Sequence, residues 1–170
     1  AYGDSKTMAE RRAWEIMDAA NARDRMTTVN PTLVLGPVLN DDLSTSTQIV
    51  KRMMKGDFPA APKMHISVVD VRDIAALHVR ALDPALGGQR LLAGGKTLSM
   101  LDIAKAIKAE DPTRRGLPVL EAPNIFIQML GFVDKQAAAI VPELGKIRHV
   151  DASAAEAALG RELISATDAV

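Results

Sequence analysis

The chain has 170 residues, 48% of them hydrophobic, and its 21 Lys and Arg residues balance its 21 Asp and Glu residues. This is the composition of a globular protein, and a neutral chain is not typical of proteins that bind nucleic acids or anionic membranes, so neither partner is expected. The sequence contains no cysteine, which excludes disulfides and a cysteine nucleophile from this segment and is compatible with a reducing, cytoplasmic location.

The first third of the sequence predicts a helix, a strand and a second helix. Apolar residues recur at helical spacing from Tyr2 to about Arg25, with Glu10 on the opposite, polar face. Residues 26–30 are rich in β-branched side chains and predict a strand. We expect its pairing to stop at Pro31, which has no N–H to donate, and an extended loop to follow. A loop over 39–46 then leads to a helix over about 47–55.

The remaining sequence alternates strands with helices. Strands are predicted over 65–70 and 90–93, and helices over 73–82, 99–109, two parts of 124–141 separated at Gly131, and 153–160. Several helix ends can be predicted: Asp73 as an N-cap, capping boxes at Ser99–Asp102 and Ser153–Glu156, and Gly160 at a helix C-terminus. An ion pair between Asp70 and Arg72 is also predicted. This alternation predicts an α/β protein. Only about three strands are visible, so we expect both ends of the fold to be cut, with a further helix beginning near the C-terminus.

Tyr2 and Lys6 are four residues apart on the first predicted helix, which places them one turn apart on one face. A tyrosine phenol has an ordinary pKa of about 10, too high for ready proton exchange at neutral pH. A neighbouring ammonium stabilises the phenolate and lowers the pKa of the phenol. The pair can therefore act as a general acid or base on a carbonyl or an alcohol, although the same spacing also occurs in ordinary helices.

Three blocks of the sequence resemble the extended short-chain dehydrogenases/reductases. The first block, YGDSKTMAERRAW at Tyr2–Trp14, is similar to the active-site helix of that family. The second, NPTLVLGP at Asn30–Pro37, is similar to the strand and loop that follow the helix, and the third, VDVRDIAALHVRAL at Val69–Leu82, comes next in the same order. The Asn-Pro-Thr-Leu-Val and Val-Asp-Val-Arg-Asp stretches resemble the dihydroflavonol reductase and cinnamoyl-CoA reductase branch.

The resemblance implies the C-terminal part of a Rossmann-type doubly wound parallel sheet, plus a small, mostly helical substrate-binding region. Residues 1–38 would be the end of the dinucleotide-binding domain, and residues 39–170 a mixed substrate-binding region with returning strands. The family's Gly-rich loop and its catalytic serine precede the tyrosine, and neither has a counterpart in this sequence. We therefore expect the chain to be the C-terminal half of a longer enzyme and to be inactive by itself.

The resemblance also implies a nicotinamide cofactor, NADP or NAD with NADP slightly favoured, and a small-molecule carbonyl substrate. Tyr2 would give a proton to the carbonyl oxygen as hydride arrives, while Lys6 would bond the nicotinamide ribose and lower the pKa of the phenol. The cofactor-binding set would include both Tyr2 and Lys6, and four residues of the next strand and loop would complete it: Asn30, Pro31, Thr32 and Leu33.

Met54 and Phe58 are the predicted substrate-binding residues, because they flank the segment that shapes the substrate pocket in this family. Methionine suits a variable apolar pocket, but ordinary core packing is the alternative for each residue. No metal site is expected, since the three histidines are far apart in the sequence. Other functions stay open, namely a sugar-nucleotide epimerase or dehydratase and a catalytically inert fragment of the same fold; a homodimer is a further expectation.

Overall fold

The computed structural model describes residues 2–39 and 45–170, apart from the side chains of Tyr2, Thr45, Lys135 and Gln136. The helices described are α1 (Tyr2–Ala19), α2 (Thr45–Met54), α3 (Val71–Arg80), α4 (Met100–Glu110), α5 (Asn124–Leu130), α6 (Lys135–Ile140) and α7 (Ser153–Leu159). The strands described are β1 (Thr28–Pro31), β2 (Leu33–Leu35), β3 (His65–Asp70), β4 (Arg90–Ala93) and β5 (Thr97–Ser99). Most of the predicted 39–46 loop lies outside the described residues. None of the described helices has the length and apolarity needed to cross a bilayer.

The strands form two groups whose parallel pairs confirm the predicted α/β class. Strand β1 pairs with β4 in parallel, from Thr28 opposite Arg90 to Pro31 opposite Ala93. Strand β2 pairs in parallel with β3, which in turn pairs with β5 in antiparallel orientation. The chain leaves β4 and joins β3 at Thr32, the single residue between β1 and β2.

Pro31 does not interrupt the pairing of β1, so that prediction is wrong. The N–H groups of Thr28 and Thr32 donate to the carbonyls of Gln89 and Ala93, at 3.1 and 2.9 Å. Backbone N–H groups alternate in direction along a strand, so the nitrogen of Pro31 faces away from β4. The N–H that Pro31 lacks would not have taken part in pairing with β4, so no hydrogen bond between the two strands is lost. Residues 33–35, expected as a loop, form β2 instead.

Helix α1 ends earlier and is more exposed than its sequence predicts. It stops at Ala19, and Arg23–Arg25 form a separate 3-10 turn after Asn21, whose φ is +51°. Met8 and Ile16 are 70% and 52% exposed. The described part of the chain therefore leaves much of the apolar surface of α1 uncovered.

The start of α3 corrects one predicted cap and confirms one ion pair. Asp70 is the N-cap, and its carboxylate accepts the Arg72 backbone N–H at 2.7 Å and the Arg72 Nε at 2.8 Å. The predicted Asp70–Arg72 pair is thus confirmed. Asp73 is not the cap, because it already lies inside the helix and is fully buried.

The other predicted helix ends are partly confirmed. Ser99 and Asp102 form the expected reciprocal capping box at α4. Helix α7 has no such box, because the Asp151 carboxylate accepts the Ser153 N–H at 3.0 Å in place of a Glu156 contact. Gly160 ends α7 with φ +68°, as expected of a left-handed terminal residue. Residues 166–169 form a turn, where a further helix was expected.

Two buried clusters cover opposite faces of β3. Successive side chains of a strand point to opposite faces, and Val68 and Val69, both fully buried, belong to different clusters. The first core cluster contains Met53 of α2 and Ile103 of α4, and the second contains Leu77 of α3. The strands are therefore covered on both faces, as in a doubly wound sheet.

Candidate active site

Helix α1 carries Tyr2 and Lys6 at the spacing that the sequence predicts. Both residues lie within one continuous helix from Tyr2 to Ala19, so their Cα atoms are about one turn apart. The side chain of Tyr2 lies outside the described residues, and the contact between the phenol and the ammonium stays a prediction. The backbone meets the requirement that the two side chains start from the same helix face.

Glu10 fastens α1 to two strands. Its Oε2 accepts a hydrogen bond from Asn30 Nδ2 at 2.9 Å, and its Oε1 accepts one from Arg90 Nε at 2.6 Å. Thr28 Oγ1 and Trp14 Nε1 lie 3.4 Å from the same Oε1 atom. The Glu10 side chain is only 17% exposed. One carboxylate therefore holds the helix against both β1 and β4, a network we call the Glu10 anchor.

Sequence reasoning missed the Glu10 anchor by assigning Glu10 to the polar, solvent-facing side of the helix. The signal that could have found it is its position four residues after Lys6 and eight after Tyr2. Residues at this spacing share a helix face. The predicted catalytic pair therefore lies along the same helix from Glu10, the residue that contacts the sheet.

The hydrogen bonds from the Arg90 guanidinium lower the pKa of Glu10 below its ordinary value of 4.5. A carboxyl whose pKa is lower in the folded state stabilises the fold above its unfolded pKa, and this contribution is lost as the pH falls through the folded pKa. We expect Glu10→Gln to lower the free energy of unfolding by about 1–2 kcal/mol at pH 7, the range for charged hydrogen bonds discounted for the half-exposed Arg90.

The measurement is urea unfolding of Glu10→Gln and the parent protein between pH 7 and pH 3. The difference should shrink below about pH 4.5, because protonation removes the same charge from the parent. Glu15→Gln is the matched control, since Glu15 is on the same helix and its side chain is 64% exposed. A difference that stays constant with pH would show that the Glu10 charge does not stabilise the fold.

The predicted cofactor segment lies where the chain passes from β4 to β3. Asn30 uses its Nδ2 on Glu10, while its Oδ1 is buried and has no hydrogen-bond partner in the described part of the chain. Pro31 is exposed, and Thr32 bonds the Ala93 carbonyl through its backbone N–H at 2.9 Å. A buried acceptor without a donor beside an exposed proline fits a bound group that brings its own hydrogen-bond donors.

Leu33, a predicted cofactor residue, packs against the same core cluster as the two predicted substrate residues. Leu33, Met54 and Phe58 all pack, partly buried, against the first core cluster. The Phe58 ring also lies 5.1 Å from the Arg52 guanidinium carbon. Core packing accounts for part of the Met54 and Phe58 surfaces, and their contact with substrate stays a prediction.

The described residues contain no group of three or more His, Asp or Glu side chains suited to hold a metal ion. His78 is exposed on α3, and its Nδ1 lies 2.7 Å from the Ile74 carbonyl. His65 Nδ1 is buried without a hydrogen-bond partner among the described residues. Neither histidine belongs to the Glu10 anchor.

Comparison with curated proteins finds oxidoreductases. No model of a known protein family matches the sequence. The chain is similar to an uncharacterized oxidoreductase of Schizosaccharomyces pombe, at 36% identity over 149 residues, 78% of this chain and 44% of that protein. It is also similar to the NADPH-dependent methylglyoxal reductase GRE2 of Saccharomyces cerevisiae, at 31% identity over 129 residues, 70% of this chain and 38% of that protein.

The branch expected from the sequence is represented by a cinnamoyl-CoA reductase of Medicago truncatula, at 34% identity over 89 residues, 52% of this chain and 26% of that protein. The chain spans less than half the length of these curated relatives. Among solved structures, yeast methylglyoxal/isovaleraldehyde reductase Gre2 complexed with NADPH matches with a TM-score of 0.71 at 24% identity, over 99% of this chain and 48% of that one. This structural likeness concerns the fold alone.

Proposed function

The chain belongs to the extended short-chain dehydrogenase/reductase superfamily of NAD(P)-dependent oxidoreductases, and on this premise we propose that the whole protein reduces an aldehyde or a ketone with NADPH or NADH. The observation that carries the proposal is the Tyr2–Lys6 motif on a helix held against β1 by Glu10. Similarity to proteins named as reductases supports reduction as the reaction. NADPH is the favoured cofactor, because the methylglyoxal reductase is NADPH-dependent.

In the proposed reaction, a bound reduced nicotinamide would supply the hydride that the carbonyl carbon accepts. Tyr2 would donate a proton to the carbonyl oxygen, and Lys6 would bond the nicotinamide ribose and lower the pKa of the Tyr2 phenol. The exposed Pro31 would offer a surface to the nicotinamide end, and the Asn30 Oδ1, which has no donor among the described residues, would offer an acceptor. The role of this chain is to orient the two reactants and to deliver the proton.

We propose the domain division expected from the sequence, with residues 1–38 ending the dinucleotide-binding domain and 39–170 forming the substrate-binding region. Strands β3 and β4 come from the second region and pair with β2 and β1 of the first. This pairing of strands from one region with strands from the other supports the proposal that both regions contribute to the same sheet structure. The proposal also includes a longer enzyme, whose preceding segment supplies the Gly-rich loop and the serine.

Product analysis of the full-length protein tests the proposed reaction. Incubation with NADPH and an aromatic aldehyde should give the alcohol, with one NADPH consumed for each molecule reduced. A nucleotide sugar with NAD should give no epimer or dehydrated product. Conversion of the nucleotide sugar without aldehyde reduction would overturn the proposal in favour of the epimerase or dehydratase class, and absence of both activities and of cofactor binding would favour an inert protein.

Replacing Phe58 or Met54 by alanine should change substrate preference without weakening NADPH binding. If these side chains line the pocket, the kcat/KM ratio between a small and a bulky aldehyde should move by about tenfold, since a few buried methylenes contribute roughly 1–3 kcal/mol of discrimination. Steady-state kinetics with both aldehydes measures the ratio. Phe126→Ala is the control for loss of an aromatic ring, because Phe126 is 68% exposed. Equal changes for both aldehydes would assign Phe58 and Met54 to core packing alone.

A further inference from the structure

A groove lies between α4 and the segment 114–119. Its volume is about 460 Å³, within the range of sites that bind small molecules. Leu101, Leu117 and Val119 are among the apolar residues that line it. Leu101 and Leu117 also pack against the first core cluster, so the floor of the groove belongs to the ordered interior of the protein. No residue of the proposed active site lines this groove.

Positive charge borders the apolar floor. Lys105, Lys108, Arg114 and Arg115 all line the groove. Lys105 is 69% exposed and only loosely paired, with its Nζ 3.7 Å from an Asp102 oxygen. Arg114 pairs with Asp111 at 3.1 Å. Two carboxylates therefore accompany four cations, which leaves an excess of positive charge in a chain whose formal net charge is zero.

Lys108 and Arg115 supply the uncompensated charge. The Lys108 ammonium donates to the carbonyls of Pro112 and Arg114, each at 2.7 Å. These neutral acceptors hold the ammonium in place without cancelling its charge. Arg115 is exposed and forms no ion pair within the described part of the chain. An anion in the groove would meet one fixed cation and one that can turn toward it.

We propose that this groove binds a small organic anion with an apolar body, such as a medium-chain carboxylate. The apolar floor would take up the hydrocarbon part, and the cations at the border would pair with the carboxylate. An inorganic anion would leave the floor uncovered, and a neutral hydrocarbon would gain nothing from the cations. The site goes beyond the proposed reductase function and does not depend on it.

Isothermal titration of the full-length protein with three probes tests the proposed chemistry. Octanoate carries both features, acetate carries the carboxylate alone, and octan-1-ol carries the apolar chain alone. Octanoate should bind at least about tenfold more tightly than acetate or octan-1-ol, since each of these two lacks one of the contributions that octanoate makes. Absence of octanoate binding, or equal affinity for octanoate and octan-1-ol or for octanoate and acetate, would overturn the proposal.

Matched variants locate the binding. Arg115→Ala should weaken octanoate binding about three- to fivefold, whereas Arg25→Ala, which removes another exposed cation, should not change it. Val119→Asn should weaken binding, whereas Val133→Asn should not, since the two valines are 78% and 84% exposed. Thermal unfolding of each variant establishes that it is folded. Unchanged affinity in both groove variants would place the bound octanoate elsewhere and refute the assignment.

Discussion

Replacing Tyr2 by phenylalanine is expected to lower kcat for carbonyl reduction by about 10²–10⁴-fold, the usual contribution of general acid catalysis. The substitution removes the phenolic proton that the proposed mechanism delivers to the carbonyl oxygen, and it keeps the aromatic ring. Lys6 and the Glu10 anchor remain, so the position of α1 on the sheet should not change. Affinity for NADPH should therefore stay close to that of the parent protein.

The measurement combines stopped-assay kinetics on an aldehyde with a fluorescence titration of NADPH, both on the full-length protein. Met8→Ala is the control on the same helix, because Met8 is 70% exposed and a change there should leave both quantities unaffected. Retention of more than about a tenth of the parent kcat would exclude Tyr2 as the acid. The loss of kcat would then be less than about tenfold, which is below the range for general acid catalysis. Loss of NADPH binding instead would assign Tyr2 to the cofactor site.

Asp73→Asn is expected to lower the free energy of unfolding by about 2–4 kcal/mol, because it removes one partner from a buried, charged hydrogen-bond group. Asp73 is fully buried, and its two carboxylate oxygens accept Arg161 Nη2 at 2.6 Å and the Ile164 N–H at 2.7 Å. An asparagine presents one oxygen and one NH₂ group, so one of these donors would face another donor. The Arg161 side chain is 46% exposed and can regain water, which limits the loss.

Urea unfolding at pH 7 measures the Asp73→Asn effect, and Asp18→Asn is the control, since its carboxylate is 51% exposed in a surface pair with Arg23. The control should change stability by no more than about 1 kcal/mol. Arg161→Met should also lower the free energy of unfolding, because the fully buried Asp73 carboxylate keeps the Ile164 N–H but loses its cation. A loss of less than about 1 kcal/mol for Asp73→Asn would show that the segment after α7 is held to α3 by other contacts.

Local patterns were sufficient for most elements of this fold. The helical spacing of α1 and α3, the β-branched run at β1 and the capping box at Ser99 depend on residues within a few positions of each other, so they could be predicted from the sequence. The α/β class follows from their alternation. Strands β2 and β5, each three residues long, were missed because they are stabilised by pairing with the distant β3.

The candidate site also combines local features with contacts between distant residues. The Tyr2–Lys6 spacing is a local property of one helix, and the segment Asn30–Leu33 could be identified from its own short sequence pattern. The role of Glu10 is not local, because its partners Asn30 and Arg90 lie 20 and 80 positions away along the chain. A glutamate on a helix is equally compatible with solvent and with a buried pair until the strands beside it are known.

The sequence by itself determined the α/β class and the helix that carries Tyr2 and Lys6, since both depend on residue types at short, regular spacing, and the resemblance of its three blocks pointed to the superfamily. Only the tertiary structure decided that Pro31 stays within a paired strand, that Asp70 caps α3 and that Asp73 binds the segment after α7. A buried donor or acceptor takes whichever partner the packed chain brings within hydrogen-bond distance. That partner is set by the approach of distant segments, which no local pattern records.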